Sequence, residues 1–427
     1  MAECNASSQQ LPFPWSADVL VADPGHLTTG ANIWLRVVLV FAMAMPMLVL
    51  YASSTLGAFI VRDLHLEVKL LGYLVMSSFG IAAVLSPWAG PLVSRIGPRS
   101  ALRILFFAVA LAFAMIATVD GYYSLVAAAA ICGIAQALAN PVTNLLIAQQ
   151  VPPEKKAAVA GLKQSGVQLA ALFAGLVLPA VATQHGWHSA FGMVVPLALL
   201  FAIAAPYVAL TPGKPSMASK AFAIALPNTL LLRLMGIQFC VGIALSAFVT
   251  FLPAFAVRQG MPLTIAGSLI AIFGVMGMFS RIALTPLGAK MKEESLLLLS
   301  LIAVAACAIG VTMQASPQSH WCLWIGAVGV GLTAVGTNAI AMSMLIRDAR
   351  FGLVTTASGF VSLAFFGGFS LGPPLYGMFL DSGSFEAGWS FLIGVLLCGC
   401  LMALMLTNAC QRVPQGLAST GRTNTIK

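Results

Sequence analysis

Long, uninterrupted apolar segments are the feature of this sequence that most restricts its fold. They recur along the chain, and at about 20 residues or more each can cross the roughly 30 Å hydrocarbon core of a bilayer as a helix. Only 8% of the residues are charged and 60% are hydrophobic, whereas a soluble domain carries about 25% charged residues. A spanning chain must satisfy its backbone groups internally, as helices or as a closed barrel. Barrel strands alternate apolar and polar residues, so continuously apolar segments predict an all-α integral membrane protein.

The apolar segments predict twelve transmembrane helices. We expect them at about 34–60, 70–93, 100–119, 122–148, 157–183, 188–210, 228–256, 264–288, 294–314, 320–346, 353–380 and 388–408. The expected domains are a tail at 1–30, a six-helix bundle at 31–210, a polar linker at 211–227, a second six-helix bundle at 228–408 and a tail at 409–427. The first tail lacks the basic region and short apolar region of a cleaved signal peptide.

The basic residues gather on one side of this predicted topology. Twelve spans place both termini on the same side, and all Lys and Arg residues of the loops and tails fall there except Arg62, Lys69 and Arg258. Basic loops remain in the cytoplasm, so we expect a multi-pass inner-membrane protein with cytoplasmic termini and linker. The net charge of +9 then reflects orientation in the bilayer. It does not indicate nucleic-acid binding, because no basic face with interleaved aromatic residues is present.

The two halves of the sequence share residues in register. Counterparts at one constant separation are Phe79 and Phe273, Gly80 and Gly274, Ser86 and Ser280, and Asn144 and Asn338. The matches indicate a duplicated six-helix unit. Parallel repeats of this kind hold the substrate near the bilayer midplane between the halves.

The segment from Gly90 to Arg99 resembles the signature that follows the second helix in the major facilitator superfamily, Gly-x-x-x-Asp-Arg-x-Gly-Arg-Arg/Lys. Gly90, Arg95, Gly97 and Arg99 match it, and Ser94 replaces the aspartate. With the twelve spans and the duplication, the resemblance covers about 30–408. It implies two pseudo-symmetric six-helix bundles, alternating-access transport of a small solute and a gating role for this loop. We expect the protein to function as a monomer. Ser94 cannot supply the carboxylate of the usual charge relay, and we expect it to cap the third helix.

Two cations fall inside predicted spans, whereas no acidic residue falls in the middle of one. Lys163 lies about two turns into the fifth helix and Arg281 lies deep in the eighth. Ionisable groups at such depth usually face a cavity and serve function, although a long side chain near the helix end can also snorkel to the interface. An arginine in the eighth helix resembles the pattern of oxalate–formate antiporters and monocarboxylate transporters, where it binds the anion or its proton partner. Without an acidic neighbour, Arg281 favours a carboxylate ligand.

Polar uncharged residues form faces on several predicted helices. In the fourth helix Gln136, Asn140 and Asn144 recur every fourth residue and so share one face. By the geometry of the family such faces line the cavity, although polar residues between helices also serve as interhelical hydrogen bonds. The predicted substrate-binding residues are Arg281, Lys163, Asn144, Asn338, Asn140, Gln136, Gln164, Gln168 and Gln238.

These features predict a secondary transporter for a small organic anion, a carboxylate, and they leave proton coupling open. Efflux of a drug or a neutral solute is the alternative of the same class. An integral-membrane enzyme is disfavoured because no catalytic cluster is recognisable, and no phosphate-binding loop for ATP is present. We expect no cofactor and no metal, since the cysteines show no Cys-x-x-Cys spacing.

Overall fold

The computed structural model describes residues 29–118, 120–208, 227–290, 294–352, 354–380 and 384–412, which are almost entirely helical and include no β-strand. Most of each predicted tail and nearly all of the predicted linker lie outside these residues, and the first and last helices extend into the predicted tails at 29–30 and 409–412. The helices are α1 (Thr29–Thr55), α2 (Gly57–Asp63), α3 (Leu71–Thr118), α4 (Tyr122–Gln150), α5 (Pro153–Leu176), α6 (Leu178–Gly192), α7 (Val194–Ala204), α8 (Thr229–Arg258), α9 (Leu263–Lys290), α10 (Glu294–Met313), α11 (Trp321–Arg347), α12 (Val354–Leu380) and α13 (Phe385–Arg412).

Two glycines replace loops that the sequence predicts between helices. Gly97 interrupts α3 with φ 79° and ψ 159°, and Gly186 interrupts α6 with φ 81° and ψ 159°. A positive φ strains residues with a Cβ and suits glycine, so each turn is made within about one residue. The helix α3 therefore contains the second and third predicted spans. The fifth span runs through α5 into α6 as far as Gly186, and the sixth begins there.

The described helices confirm the predicted fold class. Nine of them, together with the segment Leu178–Val208 that contains α6 and α7, are long and apolar enough to cross a membrane, which makes ten candidate spans. Counting α3 as two spans and adding α5, in which Lys163 interrupts the apolar sequence, gives the twelve predicted spans among the described residues. The helices α8 to α13 are the six spans of the second bundle.

The halves meet along two helix pairs, α5 with α9 and α3 with α12. A Cβ added to Gly175 would lie 2.4 Å from the backbone nitrogen of Ala271, and one added to Gly72 would lie 2.8 Å from the backbone of Pro373. Small residues allow such close backbone approach between membrane helices. Aromatic rings also pack at the contact between α3 and α12, where the Phe79 and Phe369 ring centroids are 4.8 Å apart.

The close packing of the halves falls at one end of the molecule, the end that carries Arg62, Lys69 and Arg258. There a Cβ added to Gly377 would lie 3.3 Å from the Cβ of Lys69. The Ser54 hydroxyl donates to the carbonyl of Val249, which joins α1 to α8. We call the other end, where α7 ends and α8 begins, the linker end. The glycines on α3, α5 and α12 near the linker end face open space, with no described atom within 4 Å of an added Cβ: Gly90, Gly161 and Gly359.

Candidate functional site

A buried lysine on α5 is bound by one face of α4. Lys163 is 2% exposed, and its Nζ donates to Thr143 Oγ1 at 2.9 Å, to Asn144 Oδ1 at 2.5 Å and to Asn140 Oδ1 at 3.4 Å. Positions three and four apart lie on the same face of a helix, which explains why these three oxygens converge. Each N–H of the ammonium thus has an acceptor. This geometry is not that of a lysine that snorkels to the interface.

Arg281 on α9 links the two halves. One terminal nitrogen of its guanidinium donates to the backbone oxygen of Gln164 at 2.9 Å and to Gln164 Oε1 at 2.6 Å. The Gln164 amide in turn donates to Asn140 Oδ1 at 3.3 Å. A continuous polar chain therefore runs from Arg281 through Gln164 and Asn140 to Lys163.

The guanidinium of Arg281 is incompletely satisfied. Its Nε is buried and finds no hydrogen-bond partner in the described part of the chain. No acidic group among those residues pairs with Arg281 or Lys163, because the ion pairs there lie at the helix ends: Lys69 with Glu67, His188 with Asp120, Arg347 with Glu294, and Arg350 with Asp348. The site therefore holds two cations without a counter-ion from these residues.

Gln168 extends the polar chain by one turn of α5. It is 1% exposed and lies beside Tyr51 of α1. A Cβ added to Gly277 of α9 would lie 2.7 Å from Gln168 Oε1, and this oxygen has no hydrogen-bond partner among the described residues. The sequence predictions missed Tyr51 and Thr143. The position of Thr143, next to Asn144 and three residues after Asn140, could have revealed it.

The second half brings together two other predicted residues, Gln238 of α8 and Asn338 of α11. Gln238 is fully buried; its amide donates to the Thr337 carbonyl at 3.4 Å and accepts from Asn338 Nδ2 at 3.3 Å. No hydrogen bond within the described residues joins this pair to Lys163 or Arg281. Gln136 is also separate from the cluster around Lys163 and Arg281, and its buried Oε1 has no hydrogen-bond partner among the described residues.

The predicted gating loop is a helix end followed by a glycine turn. The Ser94 hydroxyl donates to the Gly90 carbonyl at 3.1 Å, so it bonds back into its own helix. The expectation that Ser94 caps the third helix is wrong, because the chain remains helical beyond it and turns only at Gly97. Arg95 and Arg99 flank that turn and are exposed.

The polar cluster joins α4 and α5 of the first half to α9 of the second. Its polar groups are a guanidinium, an ammonium and side-chain amides, which bind and orient a ligand. Among the described residues, no group of three or more His, Cys, Asp or Glu side chains could hold a metal ion.

Comparison with known proteins agrees with this architecture. A family model described as Major Facilitator Superfamily matches residues 37–373. One relative, the hexuronate transporter of Bacillus subtilis (strain 168), is 26% identical over 153 residues, which are 36% of this chain and 36% of that protein. The matched region thus spans little more than a third of the length of that relative.

Proposed function

Because this chain belongs to the major facilitator superfamily and is therefore a multi-pass membrane transporter, we propose that it carries a small organic carboxylate by alternating access. The observation that carries the proposal is the buried Nε of Arg281, which has no partner among the described residues. A buried cation without a counter-ion costs several kcal/mol. A carboxylate supplied by the substrate removes that cost.

Guanidinium geometry supports a carboxylate in particular. One terminal nitrogen of Arg281 is already committed to Gln164, which leaves the edge formed by Nε and the other terminal nitrogen. That edge matches the two oxygens of a carboxylate. Lys163 does not need to contact the carboxylate, since its own donors already have acceptors on α4. It contributes a positive charge that attracts the carboxylate over a longer distance.

The unequal packing of the two ends supports alternating access. The halves are in close contact at the end with Lys69 and Gly377, whereas near the linker end a Cβ added to Gly161 or Gly359 would meet no described atom within 4 Å. Rocking of one repeat against the other would close the linker end and open the opposite end around a fixed site. The distribution of basic loops supports an inner-membrane location with both termini in the cytoplasm.

The test is uptake of a labelled carboxylate into proteoliposomes that contain the purified protein. D-Glucuronate is the first probe, chosen from the name of the relative, and hexanoate is the second. Hydrogen bonds to charged groups contribute about 1.5–3 kcal/mol each, so Arg281→Gln should reduce uptake by about a hundredfold or more. Arg281→Lys keeps the charge and loses the planar edge, and we expect an intermediate loss.

The matched control is Arg233→Gln. Arg233 lies near the linker end of α8 and donates to the Met405 carbonyl at 2.9 Å, away from the polar chain, so uptake should be unchanged. Normal uptake by a well-folded Arg281→Gln protein would contradict the carboxylate site. Transport of a neutral solute or drug would then become the better explanation.

A further inference from the structure

The contact between α5 and α9 places two unsatisfied polar atoms on one seam. The helices run antiparallel in a constant register, with Gln164 opposite Arg281, Gln168 opposite Gly277, and Ala171 opposite Gly274. Successive pairs are separated by one helical turn, about 5.4 Å. Gln168 Oε1 and Arg281 Nε are each buried and without a partner among the described residues, and the residues that carry them lie about one turn apart along this contact.

Gly277 allows the Gln168 amide to sit between the helices. A Cβ at this position would come within 2.7 Å of Gln168 Oε1, so any other residue would displace the amide. Buried polar atoms normally have a hydrogen-bond partner, and an orphan usually indicates an absent one. Gln168 lies beside Tyr51 and one helical turn along the contact from the pairing of Gln164 with Arg281. Because no described residue supplies the missing partner, a ligand bound at Arg281 is the candidate that the proposed function provides.

We infer that Gln168 accepts a hydrogen bond from a hydroxyl group of the substrate, and that the site therefore prefers hydroxylated carboxylates to their deoxy counterparts. This inference rests on the proposed function, since the carboxylate must occupy the Arg281 edge. A hydroxyl suits an amide because it can both donate and accept. A methyl group would leave Oε1 unsatisfied, and a second carboxylate would offer it only another acceptor.

The distance is compatible with a short hydroxy acid. Each hydrogen bond adds about 2.8 Å between heavy atoms. A hydroxyl one or two carbons away from the carboxylate can therefore reach from the guanidinium edge to an amide one helical turn along the seam. The inferred class is 2- or 3-hydroxy carboxylates, including larger polyhydroxy acids.

The test compares binding of hexanoate, 2-hydroxyhexanoate and 3-hydroxyhexanoate to the purified protein by isothermal titration calorimetry. One net hydrogen bond corresponds to about a three- to tenfold change in affinity, so at least one hydroxy acid should bind about three- to tenfold more tightly than hexanoate. Gln168→Met keeps the length of the side chain and removes both polar atoms. It should abolish this preference by lowering the affinity for the hydroxy acid more than the affinity for hexanoate.

Two further variants make the result specific. Gly277→Ala displaces the amide without removing it and should also weaken the preference, which keeps the inference testable if Gln168→Met does not fold. Gln149→Met, at an exposed position of α4, should retain the full preference. Equal affinities of the wild type for all three acids, or an equal loss for all three in Gln168→Met, would overturn the inference alone. If the wild type binds no carboxylate, D-glucuronate included, the proposed function fails and this inference fails with it.

Discussion

Asn144 and Asn338 occupy equivalent places in the two halves, but they have opposite hydrogen-bonding roles. Asn144 accepts from the ammonium of Lys163, whereas Asn338 donates to the neutral amide of Gln238. The polar cluster of the first half is organised around a cation and that of the second half around amides. The duplication therefore fixes where the helices lie, while the chemistry on them has diverged.

Arg281 strengthens this asymmetry although it belongs to the second half. Its hydrogen bonds to the described residues both go to Gln164 in the first half. Ser280 is the counterpart of Ser86 in the repeat, so the counterpart of Arg281 is Pro87, which carries no charge. The charged groups of both intramembrane cations thus lie on the first-half side of the boundary between the two halves. We expect the anionic end of a substrate on that side and its neutral end toward Gln238 and Asn338 in the second half.

Among the substitutions that test the difference between the two halves, Lys163→Met should cause the largest loss of uptake. A cation about 6 Å from an anion stabilises it by about 3 kcal/mol at an effective dielectric constant near 20, which corresponds to roughly a hundredfold in affinity. We expect a loss of that order in D-glucuronate uptake by proteoliposomes. Lys163→Arg, which keeps the charge, should recover part of the activity. Uptake within twofold of the wild type in Lys163→Met would show that the charge of Lys163 does not stabilise the bound substrate.

A smaller effect is expected from Gln238→Met in the second half. The substitution removes the acceptor of Asn338 and, in our proposal, a neutral partner for the substrate. A neutral hydrogen bond contributes about 0.5–1.5 kcal/mol. Uptake should fall by about tenfold at most. The loss should be greater for D-glucuronate than for hexanoate, which has no hydroxyl groups. A loss of uptake as large as that of Lys163→Met would mean that the polar clusters of the two halves contribute equally to substrate binding.

The smallest effect concerns the two tryptophans that begin the last span of each half. Trp187 Nε1 donates to Asp63 Oδ2 at 2.8 Å, whereas the buried Trp389 Nε1 has no partner in the described residues. Asp63 follows Arg62 as Gln259 follows Arg258, so the second half lacks the carboxylate. Trp187→Phe should therefore destabilise the protein by about 1–2 kcal/mol more than Trp389→Phe, which removes an unsatisfied donor.

The measurement for the tryptophan pair is reversible unfolding in detergent, with both variants in the same buffer. An Asp63→Leu background provides the control, because the extra cost of Trp187→Phe should disappear when its acceptor is absent. Equal destabilisation by the two Trp→Phe substitutions would show that the hydrogen bond to Asp63 adds nothing.

The sequence was sufficient to predict the helices and their faces. Apolar length fixed the twelve spans, and the four-residue spacing of Asn140 and Asn144 placed them on the face that binds Lys163. The loops after the second and fifth helices were predicted less well. A single glycine with positive φ, at Gly97 and at Gly186, turns the chain there, and composition does not distinguish such a turn from a short loop.

The sequence by itself determined that this chain crosses a bilayer as a duplicated helical bundle with two cations at depth, because hydrophobic length, charge and repeat spacing can all be read from the order of residues along the chain. Only the tertiary structure decided which groups surround those cations. The partners of Lys163 come from α4, and Arg281 reaches across the two halves to Gln164. Such contacts depend on the register between helices that are distant in sequence, and that register is set by the close approach of glycines such as Gly175 and Gly274 to the neighbouring backbone.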